Sequence, residues 1–238
     1  SSVENVIKSL NDFRLEIDRL TYVDVDADNN GPLAMDPSVT RIKSNFKKLH
    51  LEALSGYGDS NIYLSQLGIK TNKNGEYYFD QATFDRTYAS NPEYFNALKD
   101  NNLSSNSATA TATKSQFTTI PAGSYTVQSD SGQWKLGTTN LSRIDHNGGS
   151  RFTSLSYVGL VIETAETNPS SFKVYVGKSF SEKLSDFMAA ITDTGSSVNA
   201  AKTAYTSTST DISLKLKDLE TREELITSRY TTQFGSME

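Results

Sequence analysis

The spacing of apolar residues changes twice along this chain, and this change constrains its fold more than any other feature. Up to about residue 100 and again after about residue 178, apolar residues recur at intervals of three and four. Between about residues 117 and 178 they recur at every second position. The first spacing is typical of helices and the second of β-strands. The sequence therefore predicts an α+β protein in which a small β-rich module lies between helical regions.

These changes of spacing divide the chain into four predicted regions. They are a helical and mixed leg-type region at 1–100, a linker at 101–116, an antiparallel β-rich module at 117–178, and a helical region at 179–238 that packs back on 1–100. The linker prediction rests on the polar Ser, Thr and Ala composition of 101–116, which contains a single charged residue. Long helices packed as a bundle or coiled-coil leg, plus the β-rich module, complete the predicted fold.

The first and the last helix carry the residues from which we predict helix packing or oligomer formation. In the first helix the intervals alternate between three and four, and in the last helix, which we predict from about Val198 to Phe234, sevens and fours recur. Both patterns suit an ordinary bundle helix as well as an intermolecular coiled coil. The candidates are Val6, Leu10, Phe13, Ile17 and Leu20 in the first helix and Ile212, Leu216, Leu219, Ile226 and Tyr230 in the last.

The loop after the first helix carries alternating carboxylates at Asp24, Asp26 and Asp28, as the beginning of an EF-hand calcium loop does. The rest of that motif is absent, because Asn29 stands where the motif needs Gly and Met35 where it needs the bidentate Glu. A polar loop between helices is the prediction, and an adventitious cation site is the alternative.

The sequence offers little for catalysis. It contains no cysteine, and its two histidines, His50 and His146, fall on the polar side of a helix and in a turn. It has no nucleophile elbow, phosphate-binding loop or histidine cluster with metal-ligand spacing. We therefore expect no enzyme, no catalytic residue, no cofactor and no metal site.

Charge and hydropathy exclude two further classes of partner. The 23 basic residues are outnumbered by 28 acidic ones, which gives a net charge of -5, and no region concentrates basic charge for nucleic acid. No stretch reaches the roughly 18 apolar residues of a membrane span, so no membrane insertion is expected. The 32 serines and 26 threonines among 238 residues, with no cysteine, favour an extended or assembly-type protein.

Three segments of the chain resemble one family. They are GPLAMDPSVTRIKSNF at 31–46, LSQLGIKTNKNGEYYFDQATFDRTYASNPEYFNAL at 64–98 and LETREELITSRYTTQFGSME at 219–238. In this order they are similar to segments of the flagellar hook-associated protein 2 family, which caps bacterial flagellar filaments. The resemblance identifies the chain as a fragment covering the C-terminal two-thirds of such a protein, with its abrupt ends explained by trimming.

The resemblance implies a structural cap at the distal end of the flagellar filament, which promotes flagellin assembly and motility and also serves adhesion. It implies export through the flagellar apparatus, an extracellular location, and a homo-oligomeric ring of unspecified subunit number. The implied partners are other copies of the chain, flagellin, hook–filament junction proteins and an export chaperone. The module at 117–178 departs from the family pattern, which has a short connection at this place.

A second function remains open for that module. Trp134 and the tyrosines near it form a stacking platform in a surface adhesin or carbohydrate-binding module, or Trp134 belongs to the core of the module. These alternatives differ in whether the Trp134 ring is exposed.

Overall fold

The computed structural model describes residues 2–25, 29–193 and 197–235, and it confirms the α+β class with antiparallel sheets. The helices are α1 (Ser2–Leu20), α2 (Pro37–Leu51), α3 (Gln81–Ser90), α4 (Asn96–Lys99), α5 (Phe180–Thr192) and α6 (Ser197–Gly235), with a 3-10 turn at Pro92–Phe95. The strands are β1 (Ile69–Thr71), β2 (Tyr77–Phe79), β3 (Asn102–Ser105), β4 (Ala110–Lys114), β5 (Gly123–Asp130), β6 (Gln133–Leu136), β7 (Thr139–Asn140), β8 (Ser142–His146), β9 (Gly149–Thr153), β10 (Leu160–Thr164) and β11 (Phe172–Gly177).

Several helices begin at side chains that accept a backbone hydrogen bond from their first turn. Asp36 caps α2 by accepting from the Ser38 N–H at 2.8 Å, and Pro37 occupies the first helical position. Ser179 caps α5 by accepting from the Glu182 N–H at 3.2 Å. These caps satisfy N–H groups that no preceding helical turn can reach, and so they fix where each helix starts.

The first hydrophobic core joins α1, α2, the β1–β2 hairpin and α5. Phe46 of α2 lies at its centre, with ring centroids 4.8 Å from Phe13 of α1 and 5.8 Å from Phe187 of α5. Leu10 and Tyr77 are also buried in this core, which holds α1 against both α2 and the hairpin. Helix α5 therefore packs on the first hundred residues although the whole β-rich region separates them in sequence.

The loop of the β1–β2 hairpin is longer than the two-residue turn that an Asn–Gly pair such as Asn74–Gly75 commonly forms. Thr71 pairs with Tyr77, so residues 72–76 form the connection. The Asn72 side-chain oxygen accepts from the backbone N–H groups of Asn74, at 2.9 Å, and Glu76, at 3.0 Å. An Asn side chain that bonds the backbone ahead of it stabilises a turn. The loop is thereby held as a defined wall beside α1 and α2.

The second hydrophobic core lies between two antiparallel sheets. One sheet has the order β4–β10–β9–β8 and the other the order β3–β11–β5–β6–β7. Apolar side chains from both sheets form a common core, in which the rings of Trp134 and Phe152 are 4.9 Å apart. Two sheets sharing one core in this way constitute a β-sandwich.

The prediction of a linker at 101–116 is wrong, because strands β3 and β4 lie within this segment. Each becomes an edge strand of one sheet, β3 beside β11 and β4 beside β10. The small polar residues and Ala that dominate both strands resemble a flexible linker in composition. Each strand nevertheless pairs the backbone groups of its inner edge with a hydrophobic neighbour strand, and buried Ala110 contributes to the sandwich core.

The two cores meet at a close backbone approach. Gly56 has a φ of 85°, and a Cβ at this position would lie 2.0 Å from the Val176 carbonyl oxygen of β11. Asp59, in the same loop, accepts from Lys173 Nζ at 2.6 Å and from the Tyr175 hydroxyl at 2.9 Å. Glycine at position 56 is therefore what allows the loop of the helical part to lie directly on β11.

Candidate functional site

The candidates on α1 are placed mainly against the chain's own core. Leu10 and Ile17 are 3% and 6% exposed, and Phe13 packs between Phe46 and Phe187. Leu20 is half-buried. Val6 differs from these residues, because it is 39% exposed and its neighbour Ile7 occupies the buried position. Four of the five residues thus lie in or beside intramolecular contacts, and Val6 faces outward.

The described candidates on α6 are all exposed. Ile212, Leu216, Leu219 and Ile226 have exposed fractions of 52% to 59%. Their spacing places them on one face of the helix, which we call the α6 stripe (Tyr205, Ile212, Leu216, Leu219 and Ile226). The side chain of Tyr230 lies outside the described residues. The candidates on α1 and α6 share the same spacing, but most of those on α1 are buried or half-buried and the described ones on α6 are exposed.

Helix α6 carries two further exposed apolar residues that were not among the predicted candidates. Leu214 and Leu225 are 62% and 66% exposed. At 3.6 residues per turn they lie on the side of the helix opposite to the α6 stripe. Their interval of eleven residues is three helical turns, which a search for sevens and fours does not detect. Helix α6 therefore presents apolar side chains on two opposite faces.

One hydrogen bond ties the beginning of α6 to the cap of α2. The Tyr205 hydroxyl donates to Asp36 Oδ2 at 3.0 Å, while Asp36 Oδ1 accepts from Ser38. Burial acts to raise the pKa of Asp36, but the hydrogen bonds from Ser38 and Tyr205 hold it below its ordinary value. One carboxylate thus serves both helices. The dipeptide Asp36–Pro37 is a local signal for such a cap, whereas nothing in the sequence indicates Tyr205 as its partner.

A cavity of about 440 Å³ opens between α1, α2 and the 72–76 loop. Its lining combines apolar side chains, among them Ile17 and Phe46, with several basic ones. His50 lines it as well and contacts the Tyr77 ring edge-on at a centroid distance of 5.0 Å. Burial lowers the pKa of His50 and raises the pKa of Tyr77 to about 12, so both side chains are neutral near pH 7.

The second histidine belongs to a polar cluster on the β-sandwich. His146 lies on the β-sandwich, where its Nε2 is 2.7 Å from Arg151 Nη2 and 3.5 Å from Glu163 Oε1. Arg151 Nε also donates to Glu163 at 2.7 Å. This cluster cross-links strands β8, β9 and β10, which is a structural role. Within residues 2–25, 29–193 and 197–235, no group of three or more His, Cys, Asp or Glu residues is placed to hold a metal ion.

The loop expected as a polar connection or a cation site is described only in part. The Tyr22 hydroxyl donates to Asp24 Oδ2 at 3.0 Å, and the Asp24 N–H donates to Asn30 Oδ1 at 2.7 Å. Asp26 and Asp28 lie outside the described residues. The hydrogen bond between Asp24 and Asn30 joins the two ends of this loop just after α1.

The stacking platform considered for Trp134 is wrong. Its side chain is 8% exposed and packs on Phe152, because alternation along β6 directs it towards the other sheet. Three large apolar side chains are instead exposed at one end of the sandwich, and we call them the apolar tip: Phe117, Leu155 and Val158, at 85%, 91% and 74%.

The family model for the C-terminus of flagellar hook-associated protein 2 matches residues 1–238. The chain belongs to this family. Comparisons with curated proteins and with solved structures gave no significant match. Family membership confirms the resemblance carried by the three sequence segments and makes the chain a member of a flagellar cap family. Among the described helices of this family member, none is long and apolar enough to cross a membrane.

Proposed function

We propose that the chain acts in the cap at the distal end of the flagellar filament, outside the cell, where it promotes flagellin assembly and thereby motility. In this role it is exported, forms a homo-oligomeric ring as part of the full-length protein, and contacts flagellin. Hook–filament junction proteins and an export chaperone are further proposed partners. The function is structural, with no catalytic step.

The exposed apolar residues of α6 are the observation that carries this proposal. The helix has 39 residues, so at about 1.5 Å per residue it is roughly 60 Å long. Every residue of α6 from 202 to 229 is exposed. A helix in a protein gains most of its stability from packing an apolar face, and residues 202–229 of α6 bury no such face on the described chain. Partners outside it are therefore needed to cover these side chains.

The two opposite apolar faces specify how α6 is covered. A helix with a single stripe needs one neighbour, whereas α6 presents the α6 stripe on one side and Leu214 with Leu225 on the other. A helix that is apolar on more than one side packs between several elements. We infer that α6 forms a leg-like bundle or coiled coil with helices of neighbouring subunits or with segments beyond this chain.

The leg role is tested in the full-length protein by changing Leu219 and Ile226 together to Ser. We expect loss of the oligomer by light-scattering mass and loss of swimming, while the fold of the remaining chain stays intact. The matched control changes Thr206 and Thr210 to Ala, since both are exposed on α6 and off the α6 stripe. An unchanged mass and normal swimming in the Leu219→Ser, Ile226→Ser variant would contradict the leg role.

The cap role has its own test, which is deletion of the full-length gene. A cap that promotes assembly is needed for filaments to elongate, so we expect short or absent filaments by electron microscopy and loss of swimming. Normal filaments after deletion would contradict the cap assignment whatever the α6 variants show.

We propose adhesion as a second function, carried by the β-sandwich through the apolar tip. The tip is a preformed structure, because the Thr118 hydroxyl donates to the Val158 carbonyl at 2.7 Å and the Ser115 N–H donates to the Gly159 carbonyl at 3.1 Å. Exposed apolar side chains on a fixed scaffold are typical of contact sites. They favour an adhesion surface here over one centred on the buried Trp134.

The adhesion test changes Phe117, Leu155 and Val158 to Ser in the full-length protein. We expect reduced attachment of cells to a surface without any change in swimming speed. The control is Ile144→Ser, because Ile144 is 53% exposed on β8, away from the tip loops. Equal attachment of the triple variant and the wild type would rule out the tip as an adhesion site.

A further inference from the structure

The cavity between α1, α2 and the 72–76 loop combines an apolar floor with a basic rim. The floor includes Ile17, Phe46 and Tyr77, which are only 5% to 6% exposed. The rim carries Arg14, Lys43, Lys47 and Lys73. A volume of about 440 Å³ lies within the range of small-ligand sites and is large enough for one or two side chains of a peptide.

The positive charge of the rim exceeds the negative charge available to it. Asp18 is the one acidic residue in the cavity lining, and it accepts both from Arg14 at 2.9 Å and from Lys43 at 2.7 Å. Lys47 and Lys73 form no ion pair with any residue that the structure describes. The cavity therefore has a surplus of positive charge in a chain whose net charge is -5. A cleft lined by one sign of charge attracts ligands of the opposite sign.

We propose that this cavity binds an acidic peptide segment of a protein partner, with a carboxylate against Lys47 and Lys73 and a neighbouring apolar side chain on Phe46 and Tyr77. The cationic rim recognises the carboxylate, and the buried floor removes the apolar group from water. A simple anion such as phosphate uses the rim alone. Nucleic acid needs a longer basic track than the four basic residues of this rim supply.

The cavity is preformed, which favours binding. Asn11 of α1 fixes the hairpin wall through two hydrogen bonds of 2.8 Å, one to the Tyr77 carbonyl and one from the Tyr77 N–H. The Asn72 side chain holds the loop at the other end of the wall. Because the walls are already ordered, a ligand does not have to order them on binding. The site is distinct from α6 and so does not depend on the leg role.

The test titrates the chain at low salt with the peptide acetyl-Glu-Phe-amide and follows binding by NMR amide shifts and by calorimetry. We expect shifts confined to residues around the cavity, and weaker binding of acetyl-Gln-Phe-amide and of inorganic phosphate. Surface ion pairs contribute about 0.2–1 kcal/mol each, so the Lys47→Gln, Lys73→Gln variant should lose roughly two- to thirtyfold in affinity.

The matched control is Lys48→Gln. Lys48 is the next residue of α2 and is also exposed, but it does not line the cavity, so its variant should bind the peptide as the wild type does. Absence of peptide binding, equal binding of the Glu and Gln peptides, or an equal loss of affinity in the Lys47→Gln, Lys73→Gln variant and in Lys48→Gln would each overturn the proposal. Phosphate binding as tight as that of the Glu peptide would overturn the role of the apolar floor.

Discussion

Helices α1 and α6 both space their apolar residues by threes, fours and sevens, yet they lie in different surroundings. The core-facing residues of α1 contact α2, α5 and the β1–β2 hairpin. The corresponding residues of α6 are more than half exposed and contact little of the described chain. A heptad-like pattern thus indicates that a helix needs a partner, and it leaves open whether that partner lies in the same chain. For α1 the partner is intramolecular, and for α6 we propose other subunits.

The largest expected effect is that of Leu10→Ala in α1. Leu10 is 3% exposed, and removing its side chain leaves a cavity beside α2 and the hairpin. We expect the free energy of unfolding to fall by about 2–5 kcal/mol. Urea denaturation followed by circular dichroism measures it. A loss below about 0.5 kcal/mol, as for a surface residue, would remove the distinction between the two helices.

The next effect concerns the polar contact that orients α1. In Asn11→Ala the Tyr77 N–H and carbonyl lose their partners in a partly buried place, which should cost about 1–3 kcal/mol. Asn11→Asp is the matched variant, because it keeps the acceptor for the Tyr77 N–H and loses the donor. It should be intermediate in the same urea assay. Equal stability of Asn11→Ala and the wild type would show that packing alone positions α1.

A smaller effect is expected where α6 is tied to the core. Asp36→Ala removes both the cap of α2 and the acceptor for the Tyr205 hydroxyl, and loss of a cap costs about 1 kcal/mol. Tyr205→Phe removes only the tie to α6 and should therefore be milder. Urea midpoints of the two variants separate capping from docking. A Tyr205→Phe variant as unstable as Asp36→Ala would mean that α6 contributes to the core more than its exposure indicates.

The pH dependence of the free energy of unfolding should report on the burial of His50, which belongs to α2 in the core that α1 completes. Burial lowers the pKa of His50 below its ordinary value of 6.5, so the folded state binds fewer protons than the unfolded state just below that pH. Stability should therefore fall as the pH decreases from about 7 to about 5, and His50→Gln should lose this dependence. Parallel stability curves for the wild type and His50→Gln would contradict the burial of this ring.

The smallest expected effect is that of Leu219→Ala in α6, the same chemical change as Leu10→Ala. Leu219 is 59% exposed, and exposed substitutions usually alter stability by less than about 0.5 kcal/mol. Urea denaturation of this chain should show almost no change, whereas light scattering of the full-length protein should show weaker assembly. A loss comparable to that of Leu10→Ala would mean that α6 packs within the chain.

Much of the fold could be predicted from local patterns. The spacing of apolar residues predicted α6 to within one residue at each end, and Asp36–Pro37 is a local signal that coincides with the start of α2. The strands β3 and β4 could not be predicted, because Leu103 is the one large apolar side chain in 101–116 and Thr alternates only with Ala along β4, so no alternation of large apolar and polar residues marks them. They are strands because β11 and β10 offer them backbone partners.

The candidate sites show the same division. The exposed α6 stripe was found as a pattern, whereas the cavity was not, because Arg14, Lys47 and Lys73 lie far apart in the sequence. Only the packing of α1, α2 and the hairpin brings them to one rim. Trp134 illustrates the reverse case, since its sequence context left open a surface role that its contact with Phe152 removes.

Three features of this protein can be read from local sequence alone: the order of helical and β-rich regions, the long last helix and the family to which the chain belongs. These features depend on side-chain periodicity and on short sequence motifs, which are present in each segment whatever the rest of the chain contains. The tertiary structure alone decided which apolar faces are buried, which strands complete the two sheets and where basic residues gather. Those features depend on contacts between residues far apart in sequence, such as Phe46 with Phe187, and no local pattern specifies them.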